Sequence, residues 1–167
     1  MRYFPAALAL SLLAGVSGSM GVGATPDPAP RAAQLIAEGN RALQSGNAED
    51  AANAFEAALA VDPAYTPTLL HLASAARANG LNGKAIHYYR EVLKRSPANL
   101  AALAGEGEAM MGKGAVEKAR RNLAKLESLC GTACDETRKL AASIETGPAT
   151  PVLTAEAVTP DVSVTQN

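Results

Sequence analysis

A chain of 167 residues with a formal net charge of −1 is long enough for one modest domain with tails. The near-neutral balance leaves no concentrated basic surface for nucleic-acid phosphates, and 4% aromatics with no Trp leave no stacking platform for single strands. Much of the apolar content is Ala, the strongest helix former, which favours an all-α chain of closely packed helices over a sheet.

Residues 1–24, MRYFPAALALSLLAGVSGSMGVGA, read as a signal peptide. Arg2 precedes an apolar run from Ala6 to Val16, and Val22-Gly23-Ala24 presents small or apolar groups to a signal peptidase, so cleavage is expected after Ala24. The run is shorter than the ~20 residues of a spanning helix, and no Cys follows it to carry a lipid. An uncleaved anchor is the alternative, and the only route by which a membrane would enter the account. Cleavage makes the protein periplasmic or secreted, starting near Thr25 in an oxidising compartment. Residues 25–31 are a linker.

From residue 32 the chain repeats itself with a period of 34. Leu35, Leu69 and Leu103 share one column; Gly46, Gly80 and Gly114 share another; Ala51, Ala85 and Ala119 a third; Phe55, Tyr89 and Leu123 a fourth. Pro63 and Pro97 keep the same spacing. Each copy reads as two helices and a turn. In the first, Leu35, Ala42 and Leu43 share a helix face, and Gly46 suits the left-handed end of that helix. Ala48 to Val61 forms the second helix, with Ala51, Phe55, Ala58 and Leu59 as its apolar stripe, and Asp62-Pro63 stops it. Small residues at Gly39, Ala73 and Gly107 let paired helices approach, and Phe55, Tyr89 and Leu123 are expected to fill the gap. The repeats span about 32–65, 66–99 and 100–133.

This pattern resembles the tetratricopeptide repeat family. The matching residues are Leu35, Gly39, Gly46, Ala51, Phe55, Ala58 and Pro63 in the first copy. They are Leu69, Leu72, Ala73, Gly80, Ala85, Tyr89 and Pro97 in the second, and Leu103, Gly107, Gly114, Ala119 and Leu123 in the third. The third copy departs from the pattern, with Gly131 in place of the last Pro. The resemblance implies a helix-turn-helix repeat solenoid whose first helices line a concave face that binds another protein or a peptide. The period then places Ile36, Asn40, Leu43 and Gln44, then Leu70, Ser74 and Arg77, then Ala104, Glu108 and Met111 on that face. Members of the family that bind chaperone C-termini hold a carboxylate with Lys, Asn and Arg there. Ile36 and Ala101 stand where that clamp wants basic residues and Asn40 alone survives, so chaperone C-termini are not expected as ligands.

A capping helix is expected over 133–145, closing the open end of the array. Thr132 would cap it with Asp135 as partner, and Ala133, Thr137, Leu140 and Ile144 would form its apolar stripe. Cys130 and Cys134, the only cysteines, straddle the junction. Two Cys four apart around a Gly turn can reach the Cα separation of about 4.4–6.8 Å that a disulfide requires, and closing so short a loop stabilises by about 2 kcal/mol. A structural disulfide is expected. A reduced pair, a redox-active pair and a metal site are the alternatives, but a zinc site needs about four ligands and only His71 and His87 could join. Residues 147–167, rich in Thr, Pro, Val and Ala, are expected to be a disordered tail.

No nucleophile–base grouping is visible, and GEGEAMMGKG lacks the strand and the Ser or Thr of a phosphate loop. The basic run KARRNLAK, from Lys118 to Lys125, reads as a solvated helix face. The expectation is therefore a non-catalytic interaction scaffold of the cell envelope with no cofactor, metal or small-molecule substrate. A thiol–disulfide redox protein using Cys130 and Cys134, or a self-assembling structural component, are the alternatives.

Overall fold

The computed structural model describes residues 27–148. The expected signal peptide, and the expected tail beyond Pro148, lie outside the described residues. Seven helices follow one another, with no strand among the described residues: α1 Pro30–Gln44, α2 Ala48–Val61, α3 Pro67–Ala78, α4 Asn82–Arg95, α5 Leu100–Met111, α6 Val116–Cys130 and α7 Asp135–Thr146. The chain is an all-α helical-repeat solenoid: α1/α2, α3/α4 and α5/α6 are antiparallel pairs, each packed on the next, and α7 closes the end against α5 and α6.

The turns follow from local chemistry. Gly46, Gly80 and Gly114 all hold positive φ, at 82°, 72° and 71°, which ends the first helix of each pair as the 34-residue column requires. Pro30 and Pro67 occupy first-turn positions, where a missing N–H costs nothing. After α2, the Asp62 carboxylate accepts from the Tyr65 N–H (3.2 Å) and from the Ala29 N–H (3.0 Å), so the exit of the first pair is tied to its own entrance. Asn99 caps α5 by accepting from the Ala102 N–H at 2.9 Å.

Burial explains the columns. Ala51, Ala85 and Ala119 are fully buried, and Phe55, Leu72, Val92, Leu103, Leu126 and Leu140 are the largest side chains closed off from solvent. Gly39 is small because a Cβ there would overlap the Phe55 ring. At Gly107 the pairing differs from expectation. Its neighbour is Leu140 of α7 rather than Leu123, because the cap packs directly on α5 and brings that side chain over the glycine.

Two local expectations need correction. Helix α1 starts at Pro30, inside the segment assigned to the linker, because a proline at the first helical position is pre-set for the turn. Helix α7 starts at Asp135, not at 133. Its N-cap is Cys134, and no side chain caps it. Thr132 and Ala133 lie exposed in the preceding turn, so neither the Thr132 cap nor Ala133's place in the apolar stripe is realised. Thr137 and Leu140 are buried and Ile144 is half-buried, which leaves a stripe of three.

Candidate protein-interaction site

First helices touch successive first helices: α1 meets α3, α3 meets α5 and α5 meets α7, while no two second helices come as close. The first helices therefore form the tighter, inner layer, and their outward residues line its surface. Leu43, Leu70, Asn40 and Ser74 are half-buried on this layer, and Gln44 is exposed. Arg77 of α3 and Glu108 of α5 pair across it at 2.5 Å. The pair is 42% and 20% exposed, so water screens it and its worth is specificity and positioning rather than stability.

Three of the ten expected face residues fall inside the packing. Ile36, Ala104 and Met111 are 9%, 5% and 3% exposed. Close approach of α5 to α3 and α7 covers Ala104 and Met111, and Ile36 joins the core of the first two pairs. Asn40, Leu43, Gln44, Leu70, Ser74, Arg77 and Glu108 thus keep solvent exposure, while Ile36, Ala104 and Met111 are nearly closed, with Met111 still lining a recess beside Arg77 and Glu108.

A buried polar cluster escaped sequence reasoning. Glu106 of α5 is 6% exposed. Its carboxylate accepts from Arg90 Nε of α4 at 2.8 Å and from Asn122 Nδ2 of α6 at 2.9 Å. The same amide donates to the Leu103 carbonyl at 3.1 Å. Burying a carboxylate is costly unless its oxygens are satisfied, and here both are. The three residues come from three helices, so no local motif announces them. The one available signal was a Glu in the column that Leu72 fills one period earlier.

The sulfurs of Cys130 and Cys134 sit at bonding distance, with Cα atoms 5.9 Å apart. The buried Thr137 hydroxyl lies 3.1 Å from Cys134 Sγ and 3.5 Å from Cys130 Sγ. His71 stacks on Phe55 with centroids 5.0 Å apart, and burial pushes its pKa below the usual 6.5. His87 sits on the other helix of that pair, beside Tyr88. Among the described residues no group of His, Cys, Asp and Glu could hold a metal ion, and no helix is long and apolar enough to cross a membrane. In the basic run, Lys118, Arg120 and Arg121 are exposed, and Lys125 donates to the Pro97 carbonyl at 2.9 Å.

No curated protein matches the sequence. Solved structures do resemble the fold. The Sgt2 tetratricopeptide domain from Aspergillus fumigatus superposes with a TM-score of 0.64 at 22% identity, over 71% of this chain and 80% of that one. The second tetratricopeptide domain of human RPAP3, in complex with the HSP70 peptide SGPTIEEVD, gives 0.62 at 18% identity, over 71% and 98%. The Yersinia enterocolitica type III secretion chaperone SycD, in complex with a peptide of the translocator YopD, gives 0.59 at 24% identity, over 68% and 86%. Residues 66–99, which are α3, α4 and the following turn, match the tetratricopeptide repeat family. The chain therefore carries a tetratricopeptide repeat at residues 66–99, set within a helical-repeat solenoid of the tetratricopeptide fold.

Proposed function

We propose that the protein is a non-catalytic scaffold or adaptor that holds a peptide or helix of another protein on its inner face, and that it works in the cell envelope. The observation that carries the reading is the row Asn40, Leu43, Leu70, Ser74 and Arg77–Glu108, which runs across three successive first helices. Its mixture of half-buried aliphatics, neutral polar groups and one bridged ion pair suits an uncharged, partly apolar segment. Two of the neighbouring structures hold peptides of other proteins, which supports binding of this general kind.

Chaperone C-termini are not the ligand proposed. By resemblance, Ile36 and Ala101 occupy clamp positions without a charge, and Arg77 is already engaged by Glu108. The signal-like start and the paired cysteines support an exported protein, since disulfides persist in oxidising compartments. Cys130 and Cys134 then act as a staple holding α7 to the end of α6.

Affinity capture from the envelope fraction with the wild-type chain and with the Gln44→Lys, Ser74→Lys double variant tests the face. Partners recovered by the wild type should fall about tenfold or more with the variant, whose helical circular dichroism stays unchanged. Equal recovery would remove the inner face from the account. Intact mass of the native protein, alkylated with and without reductant, tests the compartment. A chain starting at Thr25 that takes up label only after reduction is expected. A longer chain with two freely labelled thiols would refute both export and staple, and would favour the redox reading of the same pair.

A further inference from the structure

Gly83 stands in the first turn of α4, where a glycine weakens a helix relative to alanine. Most other glycines of the described residues have a local reason. Gly46, Gly80, Gly114, Gly131 and Gly147 hold positive φ. At Gly39, Gly105, Gly107 and Gly112 a Cβ would overlap a neighbouring side chain. Gly83 has neither reason: its φ is not positive, and a Cβ there would meet nothing within 4 Å.

What Gly83 does is line two adjoining recesses that the start of α4 forms with the α3–α4 and α5–α6 turns, one of them reaching the end of α5 and the start of α6. One recess has Ile86, Met110 and Ala115 as its apolar lining and Arg90, Lys113 and Lys118 around them. The other continues past Lys113 to Lys84 and to Leu81, which is 51% exposed. Among the described residues no acidic side chain lines either recess. Arg90 is held by the buried Glu106, and Lys84 pairs with Glu56 at 2.9 Å. Lys113 and Lys118 make no ion pair among the described residues. Glu117, which adjoins Lys118 in sequence, is 82% exposed on its side chain and lies 3.6 Å from Arg120. A chain of net charge −1 thus concentrates unpaired cations around an apolar strip that a missing side chain keeps open.

We infer that this groove is a second docking site, which takes an acidic segment of a partner protein and seats one of its apolar side chains over Ile86 and Ala115. Charge complementarity selects the occupant. Carboxylates of the segment meet Lys113 and Lys118, which make no ion pair among the described residues, and the apolar side chain covers the half-buried Ile86 and Ala115. Its two cations lie outside the inner-face row, so it stands or falls separately from that reading, although Asn82 and Gly112 also line the recess beside Arg77 and Glu108.

Titration of the isotope-labelled full chain with the blocked peptide Glu-Asp-Glu-Leu-Glu-Asp-Glu tests the inference by amide shifts. Shifts are expected at Gly83, Lys113 and Lys118 and not on α1 or α3, and they should weaken as added salt screens the charges. Replacing Leu by Gly in the peptide should weaken binding about fivefold or more. Gly83→Met should fill the groove and weaken binding about tenfold or more, with thermal unfolding unchanged or raised. Lys113→Glu with Lys118→Glu should do the same without touching the core. Absence of shifts in the groove, equal affinity of Gly83→Met or of the double Lys variant, or no loss with the Gly peptide would overturn it. So would preferential binding to phosphatidylglycerol vesicles that survives Gly83→Met.

Discussion

The first two helix pairs and the third pair with its cap solve the same packing problem differently. Leu72 and Glu106 stand one 34-residue period apart and are both nearly closed to solvent, at 1% and 6%. Leu72 belongs to an apolar cluster built around Phe55 and Tyr89. Glu106 is instead held by Arg90 and Asn122. Phe55 fills the space over Gly39, whereas Gly107 is covered by Leu140 from the cap. The end of a solenoid has no next pair to bury its face. Here a polar cluster and a leaning helix take over what apolar burial accomplishes in the first two pairs.

Substitutions can break that contrast, beginning with the largest. Phe55→Ala should cost about 3–5 kcal/mol by urea unfolding, while Leu123→Ala, in the same column but half-buried, should cost less than about 3 kcal/mol. Equal costs would erase the difference between the regions. Next, Arg90→Ala should cost about 1–3 kcal/mol, because the buried Glu106 carboxylate keeps only Asn122. Glu106→Leu, which restores the second pair's solution, should stay within about 1 kcal/mol of the wild type or exceed it, since the freed Arg90 is 55% exposed and remains hydrated. If the leucine variant proves the weaker of the two, the polar cluster is the better packing. Third, in the oxidised protein, Cys130→Ser with Cys134→Ser should cost about 2 kcal/mol and raise hydrogen exchange in α7 before α1.

Smaller effects sharpen the picture of the first region. Thr68 is fully buried and its hydroxyl has no partner among the described residues. Thr68→Val should therefore raise stability by about 1 kcal/mol, read as a higher denaturation midpoint. The smallest effect is a pH slope. Burial lowers the His71 pKa, so the unfolded chain binds the proton more readily than the folded one. The stability this contributes is complete above pH 6.5 and is lost as pH falls from there through the folded value. Melting temperatures of the wild type and His71→Phe between pH 7.5 and 5 should diverge in that sense, with the variant flatter; parallel curves would mean that His71 stays solvated.

The period made most of the architecture legible, because positive-φ glycines and fully buried alanines are demanded by the backbone at every copy. Leu35, Ala51 and Gly46 could be read without coordinates for that reason. The face was less legible. Arg77 and Glu108, which the period puts on successive first helices, do meet, but a period cannot report how closely neighbouring helices pack, and so it exposed Ala104 and Met111 that the structure covers. Glu106, Arg90 and Asn122 were invisible for a related reason: they converge only once three helices are in register. At the cap, Thr132 looked like a better helix start than Cys134, yet Cys134 holds the N-cap position and its sulfur lies at bonding distance from Cys130.

The central claim is that a partner protein sits on the inner face of the first helices. Its most direct test is a photo-crosslinking residue placed at Ser74, with a second at Ala57 on the exposed side of α2, in cells that make the protein. A discrete adduct at Ser74, absent at Ala57 and lost when Gln44→Lys is added, is the predicted result. Adducts at Ala57 alone, or none at Ser74 from a folded and expressed chain, would contradict it.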